Sequence, residues 1–312
     1  MRKKRQKKKN KKILFSFTTN LTLMTEEILE FLKKHHIMGL STSLDGPKEV
    51  HDFNRIYASG SGTYDDVVYW IKRIKTEFKQ DFNLNALTTI TRKSLEYPEE
   101  IPKTLFDLGF TSVWLRFMND LGYAHDTWSK IGYNADEYID FYHKSMNTIF
   151  ELNKKRFFSE AFTTIILKKI LNKRDPMMVD IQSPCGAGIG QLLYDYKGDI
   201  YTCDEAKILG DTFKLGNVKT STMRDVIDNP ILKSMISVSS KYSLICDNCV
   251  WAPYCGICPV YSYIRYHNII PKIPGDFRCK IMKNVIKSTF EKILFDSDKR
   301  NILMKWATYG VI

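Results

Sequence analysis

No cysteine occurs before Cys185 in this 312-residue chain, although seven follow between that point and Cys279. The first half can therefore carry neither a disulfide nor a thiolate-bound metal. An apolar run long enough to span a bilayer is also missing. So is a secretory leader, because the basic opening is not followed by a distinct apolar stretch with a small-residue cleavage site. These absences exclude a membrane span and point to the cytoplasm, where thiols stay reduced. Clustered cysteines in a reducing compartment read as metal ligands before disulfides, and an odd count cannot pair completely.

What is present is globular. The chain is 44% hydrophobic and 13% aromatic, enough for a sizeable core in one or two domains. The net charge of +12 suggests nucleic acid, but its distribution does not. Residues 1–12 hold nine Lys or Arg, which leaves about +3 on the rest. Charges this dense repel, so the run reads as a disordered or solvated tail. Nucleic acid is not the expected partner, because the cysteine region lacks the interleaved basic and aromatic residues that stack bases.

Strand and helix signals alternate after the tail. Ile13–Phe17 is a short apolar strand. Thr25 is placed to cap a helix that opens with Glu26 and Glu27, where the helix dipole favours anions. Residues 39–44 form a second strand that ends at the turn Asp45-Gly46-Pro47. A helix over 63–77, a strand over 82–91, a helix over 99–108 closed by Gly109 and a strand over 112–118 follow. A long helix covers 136–155. This is the βαβ pattern of a parallel sheet covered by helices, with too few units for an eight-stranded barrel. After about Asn172 turn residues become dense. The domain boundaries are expected at 1–12, 13–172, 173–283 and 284–312, the last segment helical.

The cysteine spacing carries the chemistry. Cys185 precedes Gly198 and Cys203, then come Cys246-x2-Cys249-x5-Cys255-x2-Cys258 and a lone Cys279. A C-x2-C turn aims two thiolates at one centre, and thiolates select zinc or iron–sulfur clusters. Two four-thiolate zincs would need eight ligands, and zinc ribbons separate their pairs by a longer hairpin. Spacing alone leaves both metals open.

This pattern resembles the SPASM domain of radical-SAM peptide maturases, the anaerobic sulfatase maturases among them. All seven cysteines have counterparts, with two residues rather than the usual three between Cys255 and Cys258. The segment from Ser43 to Arg55 is similar to the radical-SAM barrel of the same enzymes. The segments 115–124, 185–190 and 254–261 look most like the B-type maturase of His-Xaa-Ser peptide systems. The resemblance implies an α/β fold. The last strands of a partial radical-SAM (β/α)6 barrel would lead into a small cysteine-rich domain with two auxiliary 4Fe–4S clusters. It implies that Cys246, Cys249, Cys255 and Cys279 hold one cluster. It gives Cys185, Cys203 and Cys258 to the other, with an open iron for substrate or a small ligand. It implies that Ser43, Arg55 and Leu121 contact S-adenosylmethionine, with Thr19-Asn20 on a neighbouring strand. Asp204 resembles the general base of sulfatase maturases, or caps a local turn; Glu205 is a second acid beside it. Asp45 orients substrate or shapes its turn. His51 reads as a neutral surface histidine before a ligand. Trp251 and Tyr254 are placed to shield a cluster from water.

The C-x3-C-x2-C motif of these enzymes is absent. Three cysteines on one open-cornered cluster deliver the electron that cleaves S-adenosylmethionine, and no other side chain replaces them. The chain is therefore expected to be inactive alone, as the C-terminal part of a maturase of ribosomal peptides or proteins. A truncated frame, or a split enzyme whose partner chain supplies the missing strands, would account for this. Such a sheet would expose an edge and lower solubility. Two rivals remain: a non-catalytic iron–sulfur or electron-transfer module, and a zinc-stabilised nucleic-acid-binding protein.

Overall fold

A computed structural model describes residues 13–37, 39–78, 82–172, 176, 178–240 and 245–310. The basic run 1–12 and most of the expected boundary at 173–176 lie outside the described residues.

Parallel pairing organises the first unit, which comprises residues up to Arg116 together with Lys144–Glu160. β1 (Ser16–Thr19), β2 (Gly39–Ser43) and β3 (Asn83–Ile90) lie side by side. Ser16 faces Gly39 across the first pair, and Ser43 faces Leu87 across the second, both parallel. The expected strand over 112–118 is broken at Trp114 into β4 (Ser112–Val113) and β5 (Leu115–Phe117). β5 extends the sheet beside β3, whereas β4 pairs with β6 (Ser159–Glu160).

The connecting helices follow from amphipathic spacing. In α1 (Glu26–Lys34) Leu29 and Leu32 are buried, and the Thr25 hydroxyl accepts from the Ile28 amide at 3.2 Å. A short helix, α2 (Lys48–Asn54), stands where the sequence suggests only a turn. α3 (Tyr64–Phe78) buries Val67, Ile71 and Ile74, and α4 (Glu100–Asp107) buries Ile101 and Leu105. Residues three, four and seven apart share a helix face, so each helix covers the sheet with one stripe.

The second unit holds Phe117–His143 and the residues from Ala161 onward. It opens with α5 (Tyr123–Ile131) and the first half of α6 (Ala135–Asn153). α7 (Ala161–Leu171) is buried on every side over its first seven residues. Its Ile165 and Ile166 belong to the same core as Leu303 and Trp306 of the C-terminal helices. Three antiparallel strands follow: β7 (Leu193–Tyr194), β8 (Asp199–Tyr201) and β9 (Lys214–Asn217). Then come α8 (Met223–Asp228), α9 (Pro230–Ser239), α10 (Pro259–Tyr266), α11 (Phe277–Phe295) and α12 (Ser297–Tyr309). The expected boundary between 283 and 284 falls inside α11, which runs unbroken past Cys279. The C-terminal helices therefore belong to the cysteine-bearing unit.

Among the described residues β1 pairs only with β2, and Phe17 on it is 44% exposed. An exposed apolar edge strand templates pairing with another chain. The isolated protein is expected to self-associate with concentration, and Phe17→Lys to slow this several-fold in light scattering. Equal rates for both proteins would acquit this edge.

Candidate metal centres

The carboxyl ends of parallel strands collect polar groups, because the chain leaves the sheet there. Ser43 is the last residue of β2, and Thr19 ends the adjacent β1. Two residues past Ser43, Asp45 is 1% exposed. Its carboxylate accepts from Arg55 Nε at 2.8 Å, Arg55 Nη2 at 3.2 Å, Asn54 Nδ2 at 3.2 Å and the Thr89 amide at 3.0 Å. Gly46 permits this approach: its φ is 136°, and a Cβ there would meet Ile101 Cγ1 at 2.6 Å. Asp45 is thus the anchor that aims Arg55.

His51 lies inside, not at the surface as its sequence context suggests. Its Nδ1 accepts from the Asp45 amide at 3.3 Å, and Nε2 lies 3.0 Å from the Thr63 hydroxyl. That hydroxyl donates to the Arg55 carbonyl, so it accepts from Nε2–H and fixes one neutral tautomer. Burial pushes the imidazole below its ordinary value of 6.5, with Arg55 and Lys48 acting the same way against Asp45 and Asp52. A neutral buried strut with both nitrogens engaged does not ligate a metal.

In the second unit the thiols separate into two sets. Cys246, Cys249, Cys255 and Cys279 line one pocket of about 550 Å³, partly open to solvent. Successive tight turns build its wall, from Cys249 N to Cys246 O at 3.0 Å, Ala252 N to Cys249 O at 2.9 Å and Cys255 N to Ala252 O at 3.3 Å. Cys279 arrives from the first turn of α11, where Asp276 Oδ1 accepts the amides of Arg278 at 2.8 Å and Cys279 at 3.2 Å. Trp251 also lines the pocket, with its ring 5.6 Å from that of Phe290, which Tyr254 meets at 5.2 Å.

Cys185, Cys203 and Cys258 share one buried apolar cluster with Tyr201, Ala206 and Tyr261. Cys203 follows the end of β8, and Cys258 caps α10, its sulfur accepting the Tyr261 amide at 3.4 Å. The Cys185 amide donates to Ser239 Oγ at 3.0 Å. Burial pushes all three thiols up, Cys203 to about 12 and Cys258 well above the ordinary value. A metal must therefore displace protons to bind here.

Between Cys255 and Cys258, Gly256 passes so close to the turn Val179–Ile181 that a Cβ would lie 2.5 Å from Ile181 Cα. Arg278 is buried here, its Nη2 donating to the Asp180 carbonyl at 3.0 Å. Burial alone would discharge it, but Asp180, Cys258, Glu205 and Cys255 outweigh that and raise its pKa. Its Nε has no protein acceptor. A buried cation with an orphaned donor beside thiols suits an anionic centre rich in sulfur. Among the described residues no three His, Cys, Asp or Glu side chains converge on a single ion. Cys246, Cys249, Cys255 and Cys279 instead line a common pocket.

Leu121 packs against the cluster that holds Cys185, Cys203 and Cys258. Asp204 is exposed, and its Oδ1 accepts from Gln191 Nε2 at 3.4 Å. Glu205 turns inward: Oε1 accepts from Asn119 Nδ2 at 3.1 Å, and Oε2 is 4.0 Å from Cys258 Sγ. Arg278 and Asn119 were not legible as site residues, because neither belongs to a spacing motif.

This is an α/β protein carrying a SPASM domain: residues 185–250 match the family described as an iron–sulfur cluster-binding domain. Cys255, Cys258 and Cys279 lie past the matched residues. The chain is similar in sequence to anaerobic sulfatase-maturating enzymes. It is 26% identical over 295 residues to a cysteine-type anaerobic sulfatase-maturating enzyme of Clostridium novyi, covering 93% of this chain and 73% of that enzyme. The enzyme of the same description from Clostridium perfringens is 26% identical over 251 residues, or 79% of this chain and 64% of its own length. The fold matches the solved structure of native anSMEcpe with bound AdoMet and Cp18Cys peptide at a TM-score of 0.76 and 22% identity, over 96% of this chain and 80% of that one.

Asp45→Ala strips Arg55 of its buried partner. It is expected to cost about 3 kcal/mol in denaturant unfolding, the low end for a buried pair because Arg55 is 31% exposed. The folded value of His51 lies below its unfolded one, so the stability it lends is complete above pH 6.5 and is lost as pH falls toward the folded value. His51→Gln is expected to unfold more readily at pH 7.5 yet to lose less on acidification. Parallel pH profiles for the two proteins would remove His51 as the titrating group.

Proposed function

We propose that the chain is the C-terminal part of a radical SAM/SPASM maturase acting on a ribosomal peptide or protein, with two auxiliary 4Fe–4S clusters. One observation carries this. The chain's seven thiols divide into four around a pocket and three in a separate buried set, the division that the family resemblance implies. Cys246, Cys249, Cys255 and Cys279 would hold one cluster, and Cys185, Cys203 and Cys258 the other. Bound there, the clusters would supply a ligand point for substrate or a route for an electron.

The chain's own groups have separable tasks. Ser43 and Arg55 would contact S-adenosylmethionine from the carboxyl end of the sheet, and Asp45 holds the guanidinium fork in one orientation. Asp204, exposed and directly after Cys203, would take the substrate proton. Trp251 and the pair Tyr254–Phe290 would limit water at the four-thiol pocket. The likeness of segments 115–124, 185–190 and 254–261 to B-type His-Xaa-Ser maturases favours a short ribosomal peptide as substrate. No C-x3-C-x2-C occurs in the sequence, so the chain by itself would not cleave S-adenosylmethionine. No helix among the described residues is long and apolar enough to cross a membrane, in keeping with a cytoplasmic setting.

Protein purified and reconstituted without oxygen is expected to hold about eight irons and eight sulfides per chain, with absorbance near roughly 400 nm that bleaches on reduction. Reduced chain mixed with S-adenosylmethionine is expected to yield no 5′-deoxyadenosine. Colourless protein carrying zinc would overturn the cluster reading, and 5′-deoxyadenosine production would overturn the inactivity.

A further inference from the structure

Three thiols complete only three corners of a four-iron cube. The other four cysteines line their own pocket, so no eighth thiol remains in the chain. The acids Asp180 and Glu205 both act on this set, and Glu205 brings a carboxylate oxygen to one of its thiols. Glu205 Oε2 lies 4.0 Å from Cys258 Sγ. Glu205 also lies near enough to Cys185 and Cys203 for its charge to reach both. Its position is fixed from both ends. The backbone places it two residues past Cys203 at the head of the turn Ala206–Phe213, and Asn119 Nδ2 holds Oε1. Oε2 is the oxygen that faces Cys258 Sγ. Asp204, the alternative acid, is exposed and bonded to Gln191.

We infer that Glu205 is the fourth ligand of the centre held by Cys185, Cys203 and Cys258, closing the corner that three cysteines leave open. This rests on the two-cluster reading above. A carboxylate oxygen binds iron, but it is harder and more readily displaced than a thiolate. The corner is thereby protected at rest and still open to exchange with an incoming ligand. Asn119 is the positioning residue, its amide keeping the carboxylate monodentate. The charge added by Glu205 is met by Arg278, whose buried guanidinium interacts with both Glu205 and Cys258.

The test uses the full chain, reconstituted anaerobically with iron and sulfide and then mildly oxidised with ferricyanide. An iron corner without a protein ligand is lost on such treatment, leaving a 3Fe–4S centre that is visible by electron paramagnetic resonance. The wild type is expected to resist. Glu205→Gln is expected to lose about one iron per chain and to gain the 3Fe–4S signal. Glu205→Cys, which restores an anionic ligand, is expected to keep its iron and stay silent, and this separates ligation from general damage to the fold. Equal iron loss and equal signal in wild type and Glu205→Gln would overturn the assignment while leaving both clusters in place. A wild-type chain that takes up no iron would overturn the assignment together with the reading it rests on.

Discussion

Charge balance around buried sulfur governs the cysteine-bearing unit. A thiol becomes a metal ligand only once it has lost its proton, yet burial favours the protonated form at Cys185, Cys203, Cys258 and Cys279. Without a metal the site is an apolar cluster of neutral thiols. With one, the protons leave and the negative charge must be matched in a medium that screens poorly. The fold supplies the match in advance. Cys258 stands at the amino end of α10, where the helix dipole favours an anion. Arg278 brings a full positive charge into the same space. A buried arginine with an orphaned Nε is costly in the metal-free protein, and that cost is recovered only when an anionic centre forms. Metal uptake by this unit would therefore add to its folding free energy.

The first unit solves the opposite problem, that of presenting a cation. Arg55 is 31% exposed, and an unrestrained arginine loses much rotamer entropy on meeting any partner. Asp45 removes that freedom beforehand through a two-point fork, and is itself held by Thr89 and Asn54. His51 completes the arrangement from behind, joining the Asp45 amide through Thr63 to the Arg55 carbonyl. One short helix, α2, carries Asn54 and His51 and leads directly to Arg55, which explains its place between a strand end and the Asp45–Arg55 pair.

Elements with a clear period were readable. The capped helix at Thr25, the strand pair over 39–44 and 82–91 and the helix over 63–77 lie close to their expected bounds. α7 was not readable, because Ala161 to Leu167 is buried on all sides and a uniformly apolar helix has no stripe to detect. α2 was hidden by brevity behind Asp45-Gly46-Pro47. Residues 112–118 read as one strand, whereas Trp114 divides them between two partners. At the sites, family resemblance proposed two sets of thiols; in the structure Cys246, Cys249, Cys255 and Cys279 line a pocket, and Cys185, Cys203 and Cys258 lie in a buried cluster. What spacing could not reveal were groups that act through burial: Arg278, Asn119 and the inward turn of Glu205 beside an outward Asp204. His51 was misjudged for the same reason, since its exposure depends on α2.

The loop Cys255-Gly256-Ile257-Cys258 joins the two sets, because its first residue faces the pocket and its last the buried cluster. Two intervening residues, rather than the three usual in the family, make this the shortest covalent path between them. A short loop survives only if its backbone can be drawn tight. Gly256 allows that, pressed against Ile181 with no room for a side chain. The same turn, Val179–Ile181, offers the Asp180 carbonyl to Arg278, whose neighbour in sequence is Cys279. Both thiol sets are thus referred to one rigid feature of the backbone. Gly256 and Arg278 tie both thiol sets to the same turn, Val179–Ile181.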